Sequence, residues 1–531
     1  MLITSRTKGS FYMKRLSALC LSVFIVIGAF SGCGKQDAFT EGSEIVLSDS
    51  GITVNGEKAT SDKSDAVYIA NDIVYYESGH DFTYGEGSDD ESHSKDEADA
   101  HTVVHISQAG TYVLSGKLSK GQVAIDLGED AEENPDATVN LILKNADITC
   151  EVAPAIIFYN VYECGSADAE NATKDVDTSK AGANVTIADG SENIINGSHV
   201  AKIYDPDSVI LSEDEKEVDD ADKLHKYDGA FYSRMSMNIY GGEKGDGVLN
   251  INADNEGLDS ELHLTINAGN INIVSGNDGI NTNEDNVSVT TINGGNVNIL
   301  VNGATGEGDG IDSNGWLVIN GGIVTAQACA VSGDAGIDSD LGIHINGGTV
   351  FSTGNMLDRI SESKQNFAVF TFDKSQENTD LSLKNSKNET VISNKVTNKF
   401  TYLIVSSPDL AEGDYTLFNG ETKLKGAKSI GGSMGIPQAP EGMTVPDGEM
   451  PQNDQRPEKP EGDIPEDMTR PDGEMPQGGQ RPEKPEGDMP EGMTRPENGM
   501  PHGNRPHQNE TADTSDTFKI TDGENYFVSV K

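Results

Sequence analysis

The sequence is short of positive charge. Its 531 residues carry 38 Lys and Arg against 88 Asp and Glu, for a formal net charge of −50. Direct binding to nucleic acid or to an anionic membrane surface needs Lys and Arg to neutralise phosphates, so this balance excludes both as direct partners. Cations, neutral polymers and polyanions reached through a cation are left. Tryptophan occurs once and cysteine five times, and the cysteines have no zinc-site spacing. Past the N-terminus no long segment has the 3.6-residue period of an amphipathic helix. Proline is confined, with 15 of 19 falling within residues 437–506. What the chain does have is glycine, 59 residues of it, and short β-branched runs. With only 24% of residues charged, global disorder is excluded despite the net charge.

Lys14 and Arg15 precede an apolar run from Leu16 to Phe30. The run is shorter than the ~20 residues of a spanning helix and reads as a signal peptide, residues 1–32. It ends in Phe30-Ser31-Gly32-Cys33, small residues before a cysteine, which resembles a bacterial lipobox. Cleavage there would leave Cys33 as the lipid attachment point, with each buried CH₂ contributing ~0.8 kcal/mol to anchoring. The expected location is extracellular, lipid-anchored to the bacterial cell membrane, with the lipid as the membrane contact. Of the later cysteines, Cys150 and Cys164 are near enough in sequence for a disulfide, with buried thiols as the alternative.

Residues 33–64 read as a polar spacer. An acidic segment from Glu77 to His101 carries His80, His93 and His101, whose scattered spacing suits a solvated surface better than a metal site. From His101 onward short apolar runs alternate with Gly, Asn, Asp and Pro, the pattern of strands and turns. An internal repeat then dominates. Ile-Asn-Ala-Gly at 266–269 returns as Ile-Asn-Gly-Gly at 292–295, 319–322 and 345–348, at spacings of 26, 27 and 26 residues. At ~3.3 Å per strand residue, that period holds three short strands with corners, one turn of an all-β parallel β-helix, a single-chain solenoid. A propeller blade needs ~40 residues and fits poorly. Ile266, Ile292, Ile319 and Ile345 should fill the core, continued by Ile271, Val297, Val324 and Val350. Asn267, Asn293, Asn320 and Asn346 read as a structural amide ladder.

The second repeated motif is acidic. One column holds Glu256, Asp278 and Asp309, with Asp334 one residue out of register. The next holds Asp259, Asn281, Asp312 and Asp338, and a third holds Glu261, Asn283, Asn314 and Asp340. Neighbours in a column should lie ~4.8 Å apart. Two like charges at that distance repel by several kcal/mol at an effective dielectric of ~20. No Lys or Arg occurs from Gly245 to Asp358 to offset this. A hard divalent cation would, and calcium takes about 6–8 oxygens at ~2.3–2.6 Å. The candidate calcium ligands are Glu256, Asp259, Asp278, Asn281, Asn283, Glu284, Asp309, Asp312, Asn314, Asp338 and Asp340. Trp316 is the one aromatic residue between Gly241 and Val350, so the repeats offer no platform for stacking sugar rings. Phe158, Tyr159, Tyr162, Tyr227, Phe231 and Tyr232 cluster earlier, where packing at the end turns is the expected role.

The runs GQVAIDLGEDA (121–131), APAIIFYNVYECG (153–165), KLHKYDGAFYSRMSMNI (223–239), GLDSELHLTIN, DGINTNED and GDGIDSNG resemble a family of bacterial carbohydrate-binding lipoproteins. The resemblance spans roughly residues 65–430. It implies a right-handed parallel β-helix similar to that of pectate lyases, over residues 65–432. It also implies a calcium-bearing surface module for acidic polysaccharide such as polygalacturonate, and also for cellulose. The leading expectation is therefore a non-catalytic binding module. A calcium-assisted polysaccharide lyase is the alternative, and it needs a base beside the metal, for which Lys226 and Arg234 are the nearest candidates. A structural surface adhesin is the third. Residues 433–516 depart from the family pattern: QRPEKPEGD at 455–463 recurs at 480–488, and such sequence reads as a disordered insertion. Residues 517–531 return to strand character and should close the β-helix.

Overall fold

Apolar residues at every second position have to face one side of a strand, and in the repeats they do so at the same points of each turn. The computed structural model describes residues 42–429 and 514–531. Among them the chain is all-β with almost no helix; its α-helix, Lys95–Asp99, is held by a capping box between Ser94 and Glu97.

Three ladders of mostly parallel strands run through the repeats. The first carries the acidic motif and includes Ile156–Phe158, Gly229–Ser233, Glu256–Ser260, Ile280–Thr282 and Ile311–Ser313. The second runs Ala183–Ile187, Met237–Gly241, Leu264–Ile266, Val289–Ile292, Trp316–Ile319 and Gly342–Ile345. The third runs Glu192–Gly197, Val248–Ala253, Asn270–Ser275, Asn296–Val301, Ile323–Gln327 and Thr349–Gly354. Long parallel sheets of this kind are consistent with a β-helix-like fold. In the second ladder Ile239 pairs with Ile266, Ile266 with Ile292, Ile292 with Ile319 and Ile319 with Ile345, so one motif spacing is one step of register. All five isoleucines are fully buried. Each contributes roughly 1.5–3 kcal/mol by leaving water. The first and third ladders bury Leu258, Ile280 and Ile311, and Ile271, Val297, Val324 and Val350, in the same core. The asparagine ladder forms as expected, with Asn293, Asn320 and Asn346 each donating to the amide oxygen one turn earlier.

Several expectations need correction. The segment read as a polar spacer joins the fold from residue 43: Ser43–Leu47 pairs in parallel with Gly110–Leu118 and buries Ile45 and Leu47. Two apolar residues at alternate positions sufficed for a strand there. The parallel stacking ends with Ile360–Ser363. From Phe367 onward most pairings are antiparallel and a second core forms around Phe370, Phe400, Phe518 and Phe527, so a uniform β-helix to residue 432 is not what the chain builds. The last strands do return: Glu524–Val530 pairs in parallel with Phe367–Gln376, and Phe518–Ile520 adds to Gly413–Asn419. His101 is buried, with Nδ1 2.8 Å from the Glu97 carbonyl, and so is no part of a solvated surface. Of the two readings left open for Cys150 and Cys164, the structure has free thiols and no disulfide between them. Cys150 packs into the core, where burial pushes its thiol up to about 12, while Cys164 lies half-buried with its Sγ 3.8 Å from the Asp177 carbonyl. The signal peptide, Cys33 and the Pro-rich insertion up to residue 513 lie outside the described residues.

Candidate metal centre and adjoining cleft

The acidic columns form in the register that the motif implies. Tyr232, Asp259, Asn281 and Asp312 are successive partners in the first ladder, and the Asp338 N–H donates to the Ile311 carbonyl at 2.7 Å. The N–H groups of Gly257, Gly279 and Gly310 bond to the carbonyls of Asp278, Asp309 and Ala335, each at 3.0 Å. Ala335 therefore stands where the column would place an acid, which leaves Asp334 out of step. The motif glycine has a steric cause. A Cβ on Gly310 would lie 2.3 Å from the Gly336 carbonyl oxygen, and one on Gly257 2.5 Å from that of Gly279.

Two sets of oxygens stand out. Asn281 donates to Glu256 Oε1 at 3.1 Å, and Asn283 donates to Asp259 Oδ1 at 2.9 Å. This leaves Glu256 Oε2, Asp259 Oδ2 and Asn281 Oδ1 buried with no hydrogen-bond partner among the described residues. One turn further, Asp309, Asp312 and Asp338 each bring a carboxylate oxygen within 4.8 Å of the others. Between the groups, Asp278 accepts from the Asp309 N–H at 2.6 Å. The donors are carboxylate and amide oxygens, the set a hard divalent cation takes and a soft metal does not. The residues present fit calcium.

The other expected ligands lie around the two sets. Asn283 donates its amide N–H to Asp259, and Asn314 donates to the Asn283 carbonyl and to Asp285, which leaves the oxygen of each amide uncommitted by these bonds. Asp340 is exposed beside Asp338, and Glu284 is exposed at the rim of a neighbouring cleft. Two acids escaped the sequence reading. Asp228 is buried beside Glu256 and Asp259 and pairs with Lys226 at 2.7 Å. Its Asp228-Gly229 pair echoes the motif, but one extra residue precedes the apolar position. Asp358 has a buried, unpartnered Oδ2 and sits within the fields of Asp338 and Asp340. Nothing around it in the sequence resembles the motif.

Burial dominates the electrostatics of these acids. It pushes the Glu256 and Asp259 carboxyls well above the usual carboxylate range, with the charges of neighbouring acids adding to the shift. Burial likewise raises Asp312 to about 6, Asp278 to about 7 and Asp309 to about 9, and Asp358 to about 7. A carboxyl whose folded value lies above its unfolded ~4 stabilises the fold at low pH and loses that contribution as pH rises through the folded value. Cation-free protein is therefore expected to melt at progressively lower temperature between about pH 5 and pH 9. Scanning calorimetry in chelator checks this, and a melting temperature that rises with pH over that range contradicts it.

A cleft of 780 Å³ continues the same ladder toward the N-terminus. Tyr159, Tyr227 and Tyr232 line it, with ring centroids 5.5 and 5.1 Å apart in sequence, and Tyr232 donates to Glu261 at 2.6 Å where the cleft meets the columns. Tyr227 and Tyr232 are largely buried and Phe158 and Phe231 wholly so, but not at an end turn as expected: the strands Gly229–Ser233 and Ile156–Phe158 stand in the middle of the first ladder. The two candidate bases are engaged. Burial lowers the Lys226 ammonium, but the charge and hydrogen bond of Asp228 outweigh it and hold the group above its ordinary value. Arg234 pairs with Glu132 at 3.1 Å and donates to Asn160 at 2.9 Å.

No curated protein matches the chain. Among solved structures, a polysaccharide lyase-like protein from C. thermocellum, determined as a gadolinium derivative, matches at 18% identity. The match covers 61% of this chain and 97% of that one with a TM-score of 0.33, too slight a likeness to carry an argument. The family model of the carbohydrate-binding domain-containing proteins matches residues 100–427, more than half of the chain and nearly all of the parallel ladders. The chain belongs to the carbohydrate-binding domain-containing protein family.

Proposed function

We propose that the chain is a calcium-dependent binding module for acidic, uronate-containing polysaccharide, held at the bacterial surface by a lipid on Cys33. Family membership supports carbohydrate binding in general. The single observation that carries the calcium reading is the trio of buried, unpartnered oxygens on Glu256, Asp259 and Asn281. Leaving a buried polar group unpaired costs about 1–3 kcal/mol, and more for a charged one. Lys223 and Lys226 come within the field of Asp259, but they are paired with Glu261 and Asp228, so a divalent cation is the natural compensation. The ladders are read as the faces of a right-handed solenoid.

The two oxygen groups would divide the work. The Glu256–Asp259–Asn281 group is buried and would stiffen adjacent turns. The Asp309–Asp312–Asp338 group is only half-buried, so a cation there keeps coordination positions open to a sugar carboxylate. Lys223 at the cleft rim is shared with Glu261 at 3.1 Å and would meet a second uronate. A lyase would need a free base, and Lys226 and Arg234 are both held in ion pairs.

Affinity electrophoresis in polygalacturonate tests the reading. Retardation with calcium is expected to fall about tenfold or more, ~1.4 kcal/mol, in chelator and in Asp312→Asn. Retardation that ignores the chelator contradicts the calcium bridge. Unsaturated uronide products accumulating in the same mixture would replace the binding module with a lyase.

A further inference from the structure

Away from the columns and the cleft, one histidine stands between two carboxylates. His199 has Nε2 3.1 Å from Glu91 Oε1 and Nδ1 3.3 Å from Asp254 Oδ1. Its side chain is 14% exposed, against 39% for Glu91 and 54% for Asp254, so the ring is the covered member of the trio. Each carboxylate is steadied through its other oxygen. The Ser88 N–H and hydroxyl donate to Glu91 Oε2 at 2.8 and 2.6 Å, and the Ser198 hydroxyl donates to Asp254 Oδ2 at 2.5 Å. An imidazolium has two N–H groups and a neutral imidazole has one. Only the protonated ring can therefore donate to both acids, whichever tautomer the neutral ring takes.

The two acids belong to different parts of the fold. Glu91 lies in the loop 77–93, whose neck is closed by the Ser78 N–H on the His93 carbonyl at 2.9 Å and the His93 N–H on the Tyr76 carbonyl at 2.8 Å. The loop runs along the strand Val200–Tyr204. There the Glu86 N–H donates to the Lys202 carbonyl and the Tyr204 N–H to the Tyr84 carbonyl, each at 2.9 Å. Asp254 stands instead at the corner between Val248–Ala253 and the acid-bearing strand Glu256–Ser260. His199 thus joins the N-terminal loop to the face that carries the columns. Burial opposes a charge on His199, but the hydrogen bonds and charges of Asp254 and Glu91 outweigh it and hold the imidazolium above its ordinary value. His93, at the neck of the loop, also lies within the field of His199. Burial holds the His93 ring below its ordinary value, so it is neutral where His199 titrates.

We propose that His199 is a proton-operated latch. Protonated, it ties the Glu91 limb of the loop to the Asp254 corner; when the ring gives up its proton, that limb lifts from the repeats while the pairing with Val200–Tyr204 holds. The direction follows from a folded value above the unfolded one. The latch contributes fully below the ordinary histidine value of ~6.5 and is lost as pH rises through the higher folded value. It is independent of the calcium reading.

Amide hydrogen exchange of the calcium-saturated full chain, read by mass spectrometry and corrected for the intrinsic rate at each pH, tests the proposal. Protection of residues 87–93 is expected to fall about tenfold between about pH 6 and pH 9, while that of Asn270–Ser275 stays constant. His199→Gln, which keeps a donor but no charge, should give the lower protection at every pH. Glu91→Gln, which removes one of the two facing charges, should move the transition to lower pH. Exchange of the imidazole C2–H in the same chain should place His199 above ~6.5 and His93 below it. A His199 value at or below that of free histidine overturns the proposal. So does protection of residues 87–93 that ignores pH or is unchanged by His199→Gln. A fall shared equally by Asn270–Ser275 would assign the change to the whole fold and overturn the latch as well.

Discussion

Calcium added to chelator-treated protein is expected to raise its melting temperature by several degrees. An ion that binds the folded chain at about 100 times its Kd stabilises it by ~2.7 kcal/mol per site. The stabilisation comes from what the cation-free fold must tolerate. Glu256 and Asp259 are at most 6% exposed, each within the field of Asp228 and of further acids. Folding without a cation forces them either to hold a proton far above their ordinary range or to bury a repelling charge. Magnesium should do less, because it demands near-octahedral geometry at ~2.0–2.1 Å and gives up its waters reluctantly. Scanning calorimetry at fixed pH reads the effect. An identical melting temperature with calcium and with chelator would contradict it.

Asp259→Asn is expected to change stability in opposite directions with and without the ion. The amide oxygen can keep the hydrogen bond from Asn283, now 2.9 Å, so the local geometry survives. In chelator the substitution removes a buried acid from a crowd of acids and should stabilise the fold by about 1–3 kcal/mol. In saturating calcium it removes a charged ligand and should leave the variant less stable than the wild type by a similar amount. A purely structural Asp259 would be destabilised by the change in both conditions, so denaturant unfolding curves in the two buffers separate the accounts.

The register of the columns was legible because the motif itself sets it. Isoleucine must return to the core side of each turn, and the glycine beside each acid has no room for a Cβ against the next carbonyl. Those two demands place Asp259, Asn281 and Asp312 in line and put Asp334 out of it. Which acids meet was not legible. Asn283 and Asn314 belong to a column by spacing, and their amide N–H groups turn to Asp259, to the Asn283 carbonyl and to Asp285, while Glu284 turns to the cleft rim. Asp228 was hidden by one inserted residue. Asp358 arrives from a turn that has lost the motif altogether, and only the folded chain brings it to Asp338. The ends failed for a related reason. A repeat predicts its own interior, whereas the strand at Ser43–Leu47 and the antiparallel end beyond Phe367 pack through contacts that occur once.

The most direct test of the account is isothermal titration of calcium into chelator-stripped, full-length protein. Saturable binding of more than one ion per chain is predicted, with Asp259→Asn and Asp312→Asn each removing a different part of it. Absence of saturable binding in the wild-type chain would contradict the claim that these carboxylates are gathered around a cation.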